Sequence, residues 1–326
     1  MDDTSAILDR VLPCLAEWNI SPNSVELAAH SENIVYKVVG VDQRKYALRV
    51  HRPGYHTLDE LRAEQTWTAA LHDHGINVAP AFRTAHGDYY THVKLGTTTR
   101  YVGLVGWLDG QSMSKVLEQK PDIEFLTHHL EELGRIAGEL HNQAVSWKTP
   151  DTFVRHSLNI QGLLGESPFW GRFWDVPQLG AQQRDRFLTA RSAITKLLSD
   201  YGENPGTYSM IHADLHHGNL LVAPDGIHVI DFDDAGFGWH IYDLAVALYS
   251  YQDRSDFEDL KGTLIRGYRG QRSISDSDLE LLPIFLLIRS MASMGWADAR
   301  PELDQEGYMS YLIGKADNAI KKLGLA

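Results

Sequence analysis

The chain has 326 residues, of which 43% are apolar and 22% charged, the balance of an ordinary globular protein with room for two lobes. Its formal net charge of −13 argues against a nucleic-acid partner, since phosphate backbones attract clustered lysine and arginine. The single cysteine, Cys14, excludes an intrachain disulfide, and the acidic N-terminus and short apolar runs indicate neither a signal peptide nor a membrane span. We therefore expect a cytoplasmic protein that contacts no membrane.

The first hundred residues predict a small, mostly antiparallel sheet that carries one helix. Apolar periodicity places a leading helix and five strands at residues 7–18, 25–27, 34–39, 46–50, 89–93 and 101–107. Thr57 and Glu60 form a capping box that starts a second helix near Leu58, and Gly75 ends it.

From residue 122 onward the pattern is mainly helical. The helical segments are residues 122–141, 184–201 and 243–326. In the aromatic loop of residues 154–181, Trp170 and Trp174 either line an acceptor pocket or anchor the loop to the core. Arg289 and Trp296 stand out in a strongly apolar helix, where most side chains serve packing, and they are candidates for the wall of an acceptor pocket.

A hairpin late in the chain carries the residues with the clearest chemistry. Two apolar runs flank the turn sequence Ala-Pro-Asp-Gly, and the loop length predicts that Val222 pairs with Ile227. Continued by that register, Asn219 and Asp231 lie at the open end, where they offer the amide and carboxylate oxygens that Mg²⁺ prefers. Asp214, five residues before Asn219, can reach the same opening as a proton acceptor.

The same segment allows a second interpretation as a metallohydrolase site. The crowded run H-x-D-x-H-H supplies the ligand types of such a site. The residues concerned are His212, Asp214, His216 and His217. This interpretation gives Asn219 and Asp231 no role.

The spacing H-x-D-x-x-x-x-N, followed by an aspartate at a strand end, is typical of kinase-type phosphotransferases. Here it falls at His212, Asp214, Asn219 and Asp231. With His216 after Leu215, and Asp233 in place of the kinase glycine, the segment closely resembles the aminoglycoside phosphotransferase-like family of the protein-kinase-like superfamily. The resemblance implies an α+β, two-lobed protein-kinase-like fold. An antiparallel-sheet N-lobe of residues 1–105 would bind nucleotide, and a mainly helical C-lobe of residues 106–326 would hold the catalytic and acceptor sites.

The resemblance also implies a nucleotide site on the strand K-Y-A-L-R-V. Alternation puts Ala47 and Arg49 on one face, where the alanine would leave room for adenine and the cation would reach the α- and β-phosphates. Arginine stands where the family usually has lysine. Glu64 falls on the inward face of its helix, so we expect it to be buried and paired with Arg49; in the alternative it lies at the solvent edge beside Arg62.

Further nucleotide contacts are implied on either side of that strand. The turn with Ser31 and Asn33 would donate to phosphates, although it lacks a glycine-rich loop and an ordinary hairpin is the alternative. The hinge that reads the adenine edge through its backbone would lie between Leu104 and Trp107. Asp243, at the start of a helix, either caps that helix or bonds back to the catalytic loop.

The implied reaction transfers the γ-phosphoryl group of ATP to a hydroxyl of a small molecule such as an aminoglycoside, an amino alcohol, a sugar or a macrolide. Asp214 would accept the hydroxyl proton, while Asn219 and Asp231 would hold Mg²⁺. The acidic pair Asp233 and Asp234 suggests a cationic acceptor; in the alternative, the two side chains support the metal site. The sequence makes no prediction of oligomeric state.

Two other functions remain open on the same fold, a protein serine/threonine kinase and a nucleotide-binding pseudokinase. Only eleven residues separate Asp231 from Asp243, too few for the usual peptide-docking segment of a protein kinase. A pseudokinase would have little reason to keep the three catalytic-site residues together.

Overall fold

The computed structural model describes residues 4–119, 122–301 and 307–325. These residues form two compact units. The first unit comprises the chain up to Met113 together with Lys148–Arg155 and Leu220–Asp233, and the second comprises Ser114–Trp147, His156–Asn219 and the chain from Asp234 onward. Two segments from later in the chain thus pack with the first unit. The predicted boundary between an N-lobe and a C-lobe, between residues 105 and 106, follows chain order alone and stays a prediction.

The first unit is built on a five-stranded antiparallel sheet of order β1-β2-β3-β5-β4. Its elements are α1 (Thr4–Val11), β1 (Pro22–His30), β2 (Ile34–Gly40), β3 (Lys45–Val50), α2 (Leu58–Asp73), β4 (Tyr90–Leu95), β5 (Thr98–Gly106), β6 (Gln111–Ser112), β9 (Leu220–Ala223) and β10 (Gly226–Val229). A 3₁₀ segment, Leu12–Trp18, extends α1. The predicted leading helix and all five predicted strands are therefore present.

The core of this unit lies on one face of the sheet. In β2 the apolar side chains of Ile34, Tyr36 and Val38 alternate inward with period two and are almost fully buried. Val11 and Leu15 from the leading helical segment pack into the same cluster. Tyr46, Leu48 and Val50 of β3 belong to this core. The packing of these side chains fixes the position of β3 and of Ala47 and Arg49 on its opposite face.

The helix α2 begins where its capping box predicts. The Thr57 backbone N–H donates to Glu60 Oε2 at 2.8 Å, and the Glu60 N–H donates back to Thr57 Oγ1 at 3.3 Å. Gly75, with φ +90°, follows the C-cap His74 and ends the helix. The start of α2 is thereby fixed, which sets the position of Glu64 two turns later.

The predicted hairpin forms with its predicted register. Val222 pairs with Ile227, and the ladder ends at Leu220 opposite Val229. Gly226 takes φ +128°, a conformation that a residue with a Cβ rarely adopts. Asn219 directly precedes the first strand, and Ile230 alone separates Asp231 from the end of the second strand.

The second unit is mainly helical, with a three-stranded sheet of order β7-β11-β8. Its elements are α3 (Met113–Gln119, starting at the end of the first unit), α4 (Ile123–Ser146), β7 (Ser157–Leu158), α5 (Ile160–Leu164), α6 (Ala181–Tyr201), β8 (Tyr208–Ile211), β11 (Gly236–Trp239), α7 (His240–Leu248), α8 (Phe257–Gln271), α9 (Asp276–Leu279), α10 (Leu282–Asp298) and α11 (Tyr308–Lys322). Gly134 lets α4 approach α8 closely, since a Cβ there would lie 2.0 Å from the Leu264 carbonyl oxygen.

The aromatic loop is anchored to the core of the second unit. Trp170 is 4% exposed and stacks on Tyr242 with ring centroids 6.0 Å apart. Trp174 is equally buried, and the Arg191 guanidinium lies 4.1 Å from its ring centroid. Of the two predicted roles, the structure assigns these tryptophans to anchoring.

One segment, Asp276–Asp298, is long and apolar enough to cross a membrane by length and composition alone. Most of its apolar window, 61%, is buried inside the protein. Residues of α10 such as Phe285 and Met291 are almost fully enclosed. The apolar composition of this segment is accounted for by its place in the helical core.

Candidate active site

The first unit contains a cavity of about 310 Å³ between its sheet and the β9–β10 hairpin, within the size range of ligand pockets. Six residues predicted to contact the nucleotide line it. They are Ser31, Asn33, Ala47, Arg49, Glu64 and Trp107. Asp231, a predicted metal ligand, lines the same cavity. One wall is therefore apolar and small at Ala47, and another carries charge at Arg49 and Asp231.

Arg49 is held by two acidic side chains. Its Nη1 lies 2.5 Å from Glu64 Oε1, and its Nη2 lies 3.4 Å from Asp233 Oδ1. Asp231 Oδ1 is also near, at 3.8 Å. Burial opposes the charge of Arg49, yet Glu64, Asp233 and Asp231 outweigh it and raise the pKa of the guanidinium above its ordinary value. The expected pairing of Glu64 with Arg49 is present, and Glu64 is only 1% exposed.

Asp231 and Asp233 differ sharply although only Phe232 separates them. Asp233 is buried, and despite the cost of burial His51 and Arg49 hold the pKa of its carboxyl well below the usual range. Arg155 donates to the backbone carbonyls of Phe232 and Asp233. Asp231, by contrast, has a side chain 48% exposed and a backbone φ of +64°, a left-handed conformation uncommon outside glycine.

Some of the residues predicted to contact the nucleotide line the cavity, and others hold the surrounding backbone in place. Asn33 is buried, and its Oδ1 accepts a hydrogen bond from the Arg52 backbone N–H at 3.1 Å, so its side chain holds the turn in place. Ser31 is exposed at the tip of the same turn. The side chain of Leu104 belongs to the buried core of the sheet, and residues 105–108 line the cavity. The contact of residues 104–107 with adenine, which would run through the backbone, stays a prediction. The Trp107 N–H donates to the Lys45 carbonyl at 3.2 Å.

The H-x-D loop of the second unit, residues 212–219, is fixed by Asp243. Its two carboxylate oxygens accept from the backbone N–H groups of His212, at 3.0 Å, and Ala213, at 2.7 Å. Ala213 has φ +66°, and these bonds hold that strained conformation directly before Asp214. Because α7 begins at His240, Asp243 is not its N-cap, and the role that the structure supports is the bond back to the loop.

Asp214 is surrounded by donors. Arg289 Nη2 lies 2.5 Å from Oδ1, and Asn219 Nδ2 donates to Oδ2 at 2.7 Å and to the Asp214 carbonyl at 2.9 Å. His216 Nε2 lies 3.2 Å from Oδ2. Burial alone would raise the pKa of this carboxyl, but Arg289 and His216 hold it well below its usual range. The carboxylate is thus ionised and its rotamer is restrained.

Two histidines of this loop accept hydrogen bonds from its backbone. His212 Nδ1 accepts from the Asp214 N–H at 3.2 Å, and His216 Nδ1 accepts from the Gly218 N–H at 2.8 Å. Among the described residues, the loop histidines and Asp214 do not form a group with converging ligand atoms. The metallohydrolase interpretation is therefore not supported by the geometry.

Two functional contacts were not predicted from the sequence. Arg289 was singled out only as a pocket residue, and its ion pair with Asp214 spans 75 positions of the chain. Asp233 was read as a possible attraction for a cationic acceptor, whereas it binds Arg49. The arginine at position 49, in place of the usual lysine, could have indicated this second partner. A guanidinium has a planar fork of donors that can bind two carboxylates at once, whereas a lysine ammonium lacks this geometry.

The antiparallel-sheet unit with its cavity and the helical unit with its H-x-D loop define a protein-kinase-like phosphotransferase. The model of the phosphotransferase enzyme family matches residues 25–276, more than half of the chain. The chain belongs to this family.

Several relatives are kinases of small molecules. Amicoumacin kinase of Bacillus subtilis (strain 168) is 25% identical over 296 residues, which cover 86% of this chain and 81% of the relative. The solved structure of a microcompartment-associated aminopropanol kinase is 27% identical, with a TM-score of 0.81 over 98% of this chain and 95% of that one. An amicoumacin kinase solved with AMP-PNP, Ca²⁺ and Ami has a TM-score of 0.79 at 21% identity, covering 99% and 94% of the two chains, and shows the same fold. The protein is accordingly a small-molecule kinase of this family.

Proposed function

We propose that the protein transfers the γ-phosphoryl group of ATP to a hydroxyl of a small molecule, with Asp214 as the base. The hydroxyl oxygen bonds to the γ-phosphorus, the bond from that phosphorus to the β–γ bridging oxygen breaks, and ADP leaves with the electron pair. The hydroxyl proton passes to Asp214. The observation that carries this proposal is the restrained, ionised carboxylate of Asp214 on a loop with the phosphotransferase spacing.

Arg49 is the proposed ligand of the nucleotide phosphates. It lies in the wall of the cavity and is fixed by Glu64 and Asp233, so its charge is placed before ATP arrives and needs no reorganisation. Ala47 in the same wall leaves room for a flat base. Phosphoryl transfer depends chiefly on such positioning and charge neutralisation.

Asn219 and Asp231 stay the predicted ligands of Mg²⁺. Both donors of the Asn219 amide nitrogen point at Asp214, which leaves the amide oxygen, a hard donor, as the other polar atom of the side chain. Asp231 keeps an exposed carboxylate beside buried Asp233, as a metal ligand requires. When bound, the ion neutralises charge on the transferred phosphoryl group.

The acceptor is proposed to be a small hydroxylated molecule, for which the amino alcohol class has the support of the aminopropanol kinase relative. A cationic group on the acceptor stays a prediction. It now depends on Asp234, since Asp233 is committed to Arg49 and His51. The cytoplasmic location predicted from the sequence likewise stays a prediction.

The direct test measures ADP release with Mg²⁺-ATP against a panel of amino alcohols, sugars, aminoglycosides and other hydroxylated antibiotics. We expect one compound class to stimulate release and the variant Asp214→Asn to abolish the stimulation. Stimulation that persists in the variant would show that Asp214 is not the base. ATP binding with no stimulation by any compound would favour the pseudokinase, and phosphorylation of a protein substrate would favour the protein kinase.

A further inference from the structure

The two oxygens of Asp214 differ in how they are engaged. His216 Nδ1 accepts from the Gly218 N–H, so in the neutral ring the proton is on Nε2, the nitrogen that faces Asp214 Oδ2 at 3.2 Å. Asn219 Nδ2 donates to the same Oδ2 at 2.7 Å. A carboxylate oxygen accepts about two hydrogen bonds, so these two donors saturate Oδ2.

The arrangement of His216 depends on a glycine. A Cβ at position 218 would lie 2.4 Å from His216 Cε1 and 2.8 Å from its Nδ1. The backbone N–H of Gly218 can approach the ring only because that Cβ is missing. The tautomer of His216, and with it the saturation of Oδ2, therefore follows from the residue type at position 218.

Asp214 Oδ1 is engaged differently. Arg289, on α10, places Nη2 at 2.5 Å from it, and among the contacts of the described residues Oδ1 thus has one donor against two on Oδ2. Arg289 therefore takes up one of the two lone pairs of Oδ1 among the contacts of the described residues. Arg289 is largely buried, with a side chain 17% exposed, and it lies beside Tyr242 of α7, so its guanidinium is itself restrained.

We propose that Oδ1 of Asp214 is the atom that takes the acceptor proton and that Arg289 is the positioning residue that holds it for this step. The proposal rests on the proposed function and adds the division of labour between the two oxygens. Asn219 and His216 orient the carboxylate through Oδ2. Arg289 fixes the position of Oδ1 through a charge-assisted hydrogen bond to one of its lone pairs.

The test compares Arg289→Met, which keeps the length of the side chain but has no donor, with Arg289→Lys, which keeps one charged donor. Steady-state kinetics are measured for the acceptor and for ATP, together with slow ADP release in the absence of acceptor, where water takes the place of the hydroxyl. Arg186→Met is the matched control, since Arg186 pairs with Asp317 at 2.7 Å in the same unit. Thermal melting of all variants is followed in parallel.

We expect Arg289→Met to lower kcat about 100-fold with KM for ATP within threefold of the parent, and Arg289→Lys to recover at least tenfold of that loss. The control should keep kcat within twofold. If Arg289→Met only lowers the melting temperature and the folded enzyme keeps its kcat, Arg289 is a structural residue and the inference is overturned. The same follows if Arg289→Lys is as inactive as Arg289→Met.

Failure of the proposed function has a different signature. Asp214→Asn that retains turnover would remove the base itself, and with it both proposals. Loss of turnover in Asp214→Asn combined with full turnover in Arg289→Met would remove the Arg289 inference alone. If Arg289→Met fails to fold, the comparison of Arg289→Lys with the parent carries the test, because a threefold to tenfold loss in kcat at unchanged KM for ATP is expected there.

Discussion

Two arginine–carboxylate pairs of the same length, 2.5 Å, serve opposite purposes in the two units. In the first unit the arginine is the proposed functional group, and Glu64 and Asp233 hold Arg49 from two sides. In the second unit the carboxylate is the proposed functional group, and Arg289 helps to hold Asp214. In each pair, the residue that has several partners is the one that is held in place. Arg49 is bound by two buried acidic side chains, whereas Asp214 is bound by three donors.

A buried ion pair by itself is weak evidence for stability, since the cost of removing two charges from water offsets much of their attraction. Both pairs are better explained by the placement of one charge where a ligand needs it. If so, variants should change turnover more than they change the melting temperature. Variants at Asp214 and Arg49 test the charged groups proposed to act, and variants at Arg289 and Asp233 test the partners that hold them.

The largest effect is expected for the functional carboxylate. Asp214→Asn keeps the shape of the side chain but cannot accept the proton, so kcat should fall about 1000-fold or more while ATP affinity changes little. Steady-state kinetics and nucleotide titration measure the two quantities. Asp225→Asn, in the exposed turn of the hairpin, is the type-matched control and should behave as the parent. A variant with weakened ATP binding and normal kcat would contradict the assigned role.

The next effect is expected for the functional arginine. Arg49→Met removes the charge from the cavity wall, and kcat/KM for ATP should fall about 100-fold, whereas Arg49→Lys keeps the charge and should lose less. Arg62→Met is the control, because Arg62 lies on α2 near Glu64 but pairs with Asp59 and Asp88. Equal losses in Arg49→Met and Arg62→Met would show that disturbance of α2, and not phosphate binding, is being measured.

A smaller effect is expected for the acid that only holds the arginine. Asp233→Asn leaves Glu64 as the remaining carboxylate partner at hydrogen-bond distance, so kcat/KM for ATP should fall about tenfold, less than in Arg49→Met. Asp88→Asn, which breaks a half-exposed pair with Arg62, should change it less than twofold. If acceptor KM rises in Asp233→Asn while the parameters for ATP stay unchanged, Asp233 contacts a cationic acceptor after all.

How much of this could be foreseen depends on the distance in sequence between the partners. The capping box of α2, the pairing of Val222 with Ile227 and the spacing of Asp214, Asn219 and Asp231 are local, since each follows from residues within one short segment. The protein-kinase-like fold followed from the resemblance carried by that spacing. Local chemistry and spacing therefore sufficed for the fold and for the residue types of the site.

The pairings across long stretches could not be foreseen. No periodicity relates Arg289 to Asp214, or Asp233 to Arg49, because tertiary packing alone brings them together. The backbone contact of residues 104–107 with adenine stays a prediction, because side-chain types carry little information on a contact that the backbone makes. The tautomer of His216 is assigned from the hydrogen bond that the Gly218 N–H donates to Nδ1, and this contact depends on the folded conformation of the loop.

A third buried pair, which the mechanism does not use, yields the smallest predicted effect. His141 Nε2 lies 3.1 Å from Asp243 Oδ2, and the His141 ring stacks on His240 at a centroid distance of 4.3 Å. Burial lowers the pKa of His141 to about 3 and that of His240 further, and burial raises the pKa of Asp243 to about 6. The two histidines therefore stay neutral in the folded protein between pH 6 and pH 4, and Asp243 takes up its proton as the pH falls through about 6.

The sign of the pH dependence follows from counting protons. Between pH 6 and pH 4 the unfolded chain binds two protons on His141 and His240, whose ordinary pKa is 6.5, while the folded protein binds one on Asp243. Within this cluster the unfolded state thus binds one more proton, so the cluster lowers the free energy of unfolding by about 1.4 kcal/mol per pH unit as the pH is lowered through this window. His56 and His217, whose pKa values burial lowers to about 4, add to the slope of the whole protein. Urea unfolding at several pH values measures the slope.

His240→Asn should reduce the slope by about 1.4 kcal/mol per pH unit, because it removes one proton from the unfolded chain and none from the folded protein. The urea m-value should stay the same, which would show that the two unfolding transitions are comparable. A slope unchanged in His240→Asn would mean that His240 is protonated in the folded protein. Unlike the pairs at Arg49 and Asp214, the two histidines of this cluster should then affect stability at low pH more than kcat at pH 7.5, where both are neutral in the folded protein.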